Sequence, residues 1–410
     1  MKALPRPPAD AARLRLWVTR GGLVFADQAV SSLTNGLVGI VAARVLGPEG
    51  LGSVARALAV AYMAMSLHRA ISGEPMLVFG TTNASGSLAA TLAVGAFAAV
   101  VTGAAAISLG DGALAALALG LVAVLVQDWG RYAFFAGGRP GWALLSDLLW
   151  LAVQSVGLTA AAAAGLLSAW GILAAWGAGG LAGAVLALVL LGPRPRPVAL
   201  PLWLRATKGL SGGTTAQVLL SQGAGQVSIL AISAVAGLGA LGGLRAAQLL
   251  LSPATLALAA LTPLLLPDLG GDGGLDPSRV RRRAGLASTL GASIVLGYFG
   301  VVLLWPQAFT LIFGEPFGVY GALVPFAGLA ALAQGVAVGP GLGVRALGEG
   351  KAVFLTQATA VGVGMPVTIV AAARWGAAGA AAGLAAQSAV LCLASWLTYL
   401  GAVRGVRRAC

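Results

Sequence analysis

Charge is scarce in this sequence. Only 9% of its 410 residues are Asp, Glu, Lys or Arg, and only 12 are acidic. Soluble globular chains average about 25% charged residues, so a soluble protein of two or three domains is excluded. Histidine is nearly missing, with His68 alone, which rules out His-rich metal centres. Of the two cysteines, Cys392 falls in an apolar run and Cys410 is the last residue, so neither metal-ligand spacing nor a plausible disulfide results. Aromatic residues make up 6% and leave few ring platforms for a ligand. No Walker loop, nucleophile elbow or DxD-type metal pair in a loop occurs. The Gly-rich run GPGLGVRALGEG (339–350) has no strand before it, which removes a dinucleotide reading. Enzymatic activity, a cofactor and a metal are not expected. The N-terminus MKALPRPPADAARLRLWVTR is too polar and too interrupted by proline for a signal peptide.

What is abundant is apolar surface. Hydrophobic residues reach 59% and mean hydropathy is +0.92. A helix needs about 20 apolar residues to cross a bilayer. About twelve such segments can be drawn, at 22–46, 51–79, 87–109, 113–135, 142–165, 169–192, 210–236, 239–267, 285–305, 321–344, 351–373 and 377–402. The formal net charge is nevertheless +13. Numbering the loops explains it. Twenty Lys and Arg residues, from Lys2 and Arg6 through Arg194, Arg196 and Arg281 to Arg404 and Arg408, fall on one set of alternate loops, and only Arg44 and Arg374 fall on the other. That is the positive-inside pattern of a multi-pass membrane protein, with both termini cytoplasmic. The dispersed charge also argues against nucleic acid as a partner. The expected fold is all-α, with a basic segment at 1–20, a six-helix lobe at 21–192, a basic linker at 193–209 and a second six-helix lobe at 210–410.

The lobes look like copies. At an offset of 190 residues, Asp27 falls on Gln217, Ser31 on Ser221, Ser32 on Gln222, and Leu51-Gly52 on Leu241-Gly242. Six spans per copy make the repeat parallel, with a pseudo-twofold axis along the membrane normal. Pairs of small residues four apart, Gly179/Gly183, Gly335/Gly339, Gly339/Gly343 and Gly379/Gly383, allow helices to approach closely.

Ionisable residues inside spans are functional candidates because burying them in lipid is costly. In the first half they are Asp27, Arg56, Arg69, Glu74, Asp128, Arg131 and Asp147, and in the second Arg245. Asp128 and Arg131, three apart on one helix, are expected to pair, and with Glu74 and Asp147 they make structural ion pairs. Arg69 is expected to pair with Asp27 or Glu74. Asp27, Ser31 and Asn35 form a polar stripe at spacing four, and Gln217, Ser221 and Gln222 form its counterpart on span seven. Arg56 and Arg245 occupy nearly matched repeat positions, without an acidic neighbour on the adjoining turns of their own helices. Guanidinium forks there suit phosphate; snorkelling to headgroups is the alternative.

The stretch FADQAVSSLTNGLVGIVAARVLGPEGLGSVARALAV (25–60), through Asp27-Gln28, Ser31-Ser32, Thr34-Asn35, Ala43-Arg44 and the loop Leu46 to Gly52, resembles the opening of the bacterial polysaccharide-biosynthesis membrane proteins. These are the O-antigen-type lipid-linked oligosaccharide flippases of the multidrug/oligosaccharidyl-lipid/polysaccharide exporter superfamily. The rest of the chain is similar in span number, repeat and basic middle loop. The resemblance implies MATE-like paired lobes in the cytoplasmic membrane. It implies an undecaprenyl-diphosphate sugar moved to the outer leaflet by alternating access. Arg56, Arg69 and Arg245, with Asn35, Gln217 and Gln222, are then candidates for substrate binding. Asp27 is the candidate for coupling to H+ or Na+, and glycosyltransferases or a polysaccharide polymerase are candidate partners. A multidrug exporter of the same superfamily, and a membrane scaffold for envelope assembly, stand as alternatives.

Overall fold

A computed structural model describes residues 9–192, 199–269, 277–347 and 350–409, and among these the chain is helical with no strand. Nine described segments are long and apolar enough to cross a membrane. Their outward faces are apolar, with Leu304 and Ile107 about 87% and 86% exposed. Exposed leucine and isoleucine on that scale fit a lipid solvent, and the chain is a multi-pass membrane protein.

Two of the nine segments are too long for one crossing. At 1.5 Å per residue, Gly22–Phe79 with 58 residues and Ala352–Arg404 with 53 each exceed twice the bilayer's hydrocarbon thickness. Each is broken by one glycine. Helix α1 (Ala9–His68) breaks at Gly47 (φ 68°, ψ −166°), immediately before Pro48. Helix α2 (Glu74–Phe79) follows a π-helical turn at Arg69–Gly73. Then come α3 (Ala84–Leu109), α4 (Gly112–Ala136), α5 (Pro140–Ala163) and α6 (Ala169–Leu191). In the second half α7 (Ala199–Val218) runs through another π-turn, Leu219–Gly223, into α8 (Ala224–Leu250), which breaks at Gly237 (φ 86°, ψ 168°). The expected span 239–267 is interrupted at Leu251 before α9 (Ser252–Leu269). Helices α10 (Pro277–Leu304), α11 (Gln307–Phe313), α12 (Val324–Ala346) and α13 (Gly350–Ala409, broken at Gly376) complete the chain.

Positive-φ glycines mark the repeat. Gly47, Gly110 and Gly165 in the first half answer to Gly237, Gly314 and Gly376 in the second. The first pair stands 190 residues apart, the offset visible in the sequence. The later intervals are wider because the second copy carries extra chain, including α11 and the 3-10 helix Glu315–Leu323. That outer connection was expected to be a bare loop. It is ordered instead by Arg44, which donates through Nε to the Ile312 carbonyl at 2.7 Å and through Nη2 to Leu311. These are last-turn carbonyls of α11, which attract a cation. One of the two arginines on the charge-poor side is thereby accounted for.

The chain packs as two compact units. The first comprises Met1–Leu37, Leu67–Leu166 and Leu173–Gly212, and the second Val38–Ser66, Leu167–Ile172 and Gly213–Cys410. In the first unit, Met76, Leu88, Val126, Trp129 and Trp203 form a buried core. A Cβ on Gly179 would collide with Trp150, and one on Gly183 with Gln127 and Ser146, so α6 lies hard against α4 and α5. In the second unit, Ala284, Leu342, Tyr399 and Val403 form a core. There Gly335 packs on Gly291, Gly339 on the Ala284 carbonyl, Gly343 on Tyr399, Gly379 on the Ala371 carbonyl and Gly383 on Thr368. Every small-residue pair singled out in the sequence thus sits at a close helix contact.

A further contact in the second unit reflects the repeat itself. A Cβ on Gly52 would collide with the Leu238 carbonyl oxygen, and a Cβ on Gly242 with the Pro48 carbonyl oxygen. Adding 190 turns 48 into 238 and 52 into 242, so the two contacts exchange under the repeat.

Candidate functional site

The first unit carries a charged cluster buried in its membrane-spanning part. Asp27 comes from α1, Asp128 and Arg131 from α4, Asp147 from α5, Arg69 from the first π-turn and His68 from the helix end before it. Asp27, Asp128 and Asp147 are each no more than 3% exposed. Arg69 forks onto Asp128, Nε to Oδ2 at 2.7 Å and Nη2 to Oδ1 at 2.8 Å. The fork onto Asp128 is a partner that the sequence did not suggest for Arg69. Arg69 opens the π-turn, and that turn packs against α4. Arg131 reaches three carboxylates. Its Nη2 bonds Asp27 Oδ2 at 2.5 Å, its Nη1 bonds Asp128 Oδ1 at 3.3 Å, and its Nε lies 3.3 Å from Asp147 Oδ1, close but off the hydrogen-bond line. The expected pair on α4 therefore exists as one edge of a larger network. Glu74 is half-buried at the start of α2 and interacts electrostatically with Arg69.

Neutral groups complete the cluster. Gln127 Nε2 donates to Asp147 Oδ1 at 2.7 Å and to Ser146 Oγ at 3.1 Å. His68 Nε2 lies 3.6 Å from Asp128 Oδ2, and its Nδ1 is 3.1 Å from Thr91 Oγ1. A hydroxyl chain continues through Ser72 and Ser87, which accepts from Trp129 Nε1. Sequence reasoning missed His68, Thr91 and Gln127. Two signals were present: His68 adjoins Arg69, and Gln127 adjoins Asp128.

The charges do not balance. Asp27, Asp128 and Asp147 face Arg69 and Arg131, leaving one carboxylate in excess when His68 is neutral. Within the cluster, the buried carboxylate oxygens without a hydrogen-bond partner are Asp27 Oδ1 and Asp147 Oδ2, on the two acids that flank Arg131 away from Arg69. A buried carboxylate without a full set of partners takes up a proton or a cation readily. Asn35, further along the α1 stripe, donates to the Ser31 carbonyl and accepts from Trp176 Nε1 at 3.2 Å.

The remaining candidates lie in the second unit. Ser66 donates to Gln222 Oε1 at 3.2 Å. The side chains of Gln217 and Ser221 lie outside the described residues. Arg56 is half-buried one turn beyond Gly52. Arg245 donates to Gln248 Oε1 at 3.3 Å and lines a partly open cavity.

No protein-family profile and no curated protein matches the chain in sequence. Its fold matches solved structures over nearly its whole length. A multidrug resistance MATE family transporter of the MOP superfamily in an inward-facing conformation superposes with TM-score 0.72 at 13% identity, covering 94% of this chain and 99% of that one. The lipid II flippase MurJ in its inward closed conformation gives TM-score 0.69 at 12% identity, with 93% and 90% covered. A MOP superfamily transporter from Pyrococcus furiosus, described as having a binding pocket of reverse polarity, gives 0.63 at 15% identity, with 96% of each covered. The chain has the fold of these transporters.

Proposed function

We propose that this protein is a transporter of the bacterial cytoplasmic membrane that flips a lipid-linked oligosaccharide. Its substrate is an undecaprenyl-diphosphate sugar, carried from the cytoplasmic to the outer leaflet by alternating access. The product feeds cell-surface polysaccharide synthesis, with glycosyltransferases or a polymerase as partners. The observation that carries this reading is the wall around Arg245, which holds a guanidinium and no Asp or Glu. Such a wall favours an anion over a cationic drug. Arg56 stands one position from the repeat equivalent of Arg245 and contributes a second fork for the diphosphate.

Binding of a diphospho-lipid to purified Arg56→Ala, Arg245→Ala and the double variant tests this. Each single change should weaken binding on the order of tenfold, the equivalent of about 1.4 kcal/mol. If both arginines hold one phosphate group, the double variant should be little worse than the worse single. Lys should replace either poorly, since it keeps charge and loses the fork. Unchanged affinity in all three variants would remove the site.

The buried carboxylate surplus and the likeness to multidrug transporter structures favour a second reading, a cation-coupled drug exporter. Vesicles containing the protein would then take up a lipophilic cation and ignore the diphospho-lipid.

A further inference from the structure

The second unit holds a partly open cavity of about 530 Å³ among α8, α9, α12 and α13. Small-molecule sites span about 300–1,000 Å³, so the space is of ligand size. Half of its lining is alanine and leucine, Ser252, Thr255 and Ser388 add hydroxyls, and four carboxamides stand among them. Gln248 comes from α8, Gln334 from α12, and Gln357 and Gln387 from the two arms of α13. Arg245 stands at the same wall. No acidic side chain, lysine or histidine lines it among the described residues.

Two of the four carboxamides are not satisfied by the protein. Gln357 Oε1 and Gln387 Oε1 are buried and lack a hydrogen-bond partner. Leucine or methionine would fill the same space without the cost of an unpaired polar group. Gln387 is also held in place: its side chain packs over Gly364, where a Cβ would collide with it. Gln357 further borders a second cavity of about 150 Å³ that reaches Arg345.

The lining selects its ligand by elimination. A cation finds no carboxylate there and is repelled by Arg245. An apolar molecule leaves the glutamines unpaired. A neutral molecule with many hydroxyls satisfies carboxamides, which both donate and accept, and a phosphate attached to it fits the guanidinium fork. We infer that this cavity is a binding site for a sugar phosphate, with the sugar hydroxyls on Gln357 and Gln387 and the phosphate on Arg245. Equating that ligand with the head group of the transported lipid rests on the function proposed above. The preference of the cavity for a hydroxyl-rich anion does not.

The test uses the purified full chain in detergent, titrated by calorimetry with glucose 1-phosphate, inorganic phosphate and tetraphenylphosphonium. Glucose 1-phosphate should bind more tightly than phosphate, and tetraphenylphosphonium should not compete. Gln357→Leu and Gln387→Leu should each weaken glucose 1-phosphate tenfold or more and leave inorganic phosphate unchanged, while Arg245→Ala should weaken both. The unliganded Leu variants should unfold no earlier than the parent, since each loses an unpaired amide; Gln357→Met or Gln387→Met, matched in length, replaces whichever Leu variant misfolds. Equal affinity of the Leu variants and the parent for glucose 1-phosphate would overturn the site, as would effective competition by tetraphenylphosphonium. Glucose 1-phosphate binding without flipping of the lipid-linked substrate would sink the transport reading and leave the cavity standing. Flipping without glucose 1-phosphate binding would do the reverse.

Discussion

Arg131 is the residue on which the first unit turns. Its side chain is 8% exposed and touches Asp27, Asp128 and Asp147, from three helices. Replacing it with Met would leave buried carboxylates facing one another without their shared counter-charge. Removing one partner of a buried pair costs about 3–5 kcal/mol, so Arg131→Met should lower the unfolding midpoint sharply or prevent folding. Asp27→Asn is a milder change. It keeps the side-chain shape, removes the surplus charge and leaves Arg131 with Asp128 and Asp147. The unfolding midpoint should move little, while transport should lose its dependence on a proton or sodium gradient. A variant that transports as the parent does across a range of pH and sodium would make Asp27 a structural residue. Such roles were half legible in the sequence. Spacing three along one helix exposed the Asp128–Arg131 edge. The Arg69–Asp128 and Arg131–Asp27 edges depend on how α1 and the π-turn rotate against α4, which no local pattern encodes.

At the scale of elements, the hydrophobic runs and the 190-residue offset were plain to read, because lipid demands long apolar stretches and a repeat preserves spacing. The π-turns were not. The segment 51–79 turns polar around Arg69–Gly73, but a single inserted residue leaves no periodic mark. Nor was α11 visible, since its order depends on Arg44 from a distant part of the chain. The breaks at Gly47 and Gly237 carry a clear expectation. Both combine positive φ with ψ near 180°, a region open essentially to glycine alone. Strain of that kind costs about 1–3 kcal/mol per residue. Gly47→Ala and Gly237→Ala should therefore each lower the unfolding midpoint by similar amounts. A near-zero shift for either would mean that the break relaxes elsewhere. Gly52→Ala and Gly242→Ala should also destabilise, and their double variant less than additively, because both wedge the same two backbones apart.

For the whole molecule the open quantity is orientation. The bias of basic residues predicts both termini on the cytoplasmic side. In a background lacking Cys392 and Cys410, single cysteines at Arg196 or Ser278 should be shielded from an impermeant thiol reagent in intact cells. One at Asp111 should react. Labelling of position 196 from outside would reverse the assignment.

The paired seats of Gly52 on Leu238 and Gly242 on Pro48 have a consequence for the origin of the chain. A surface that receives its own copy by the same contact is that of an isologous dimer. Two identical six-span chains would meet through it twice over, backbone to backbone, with no need for the surface to differentiate. Joined end to end they would inherit the contact unchanged, and from then on each glycine would be confined by the carbonyl in the other copy. Neither copy can acquire a side chain there alone without prising apart the seat it shares.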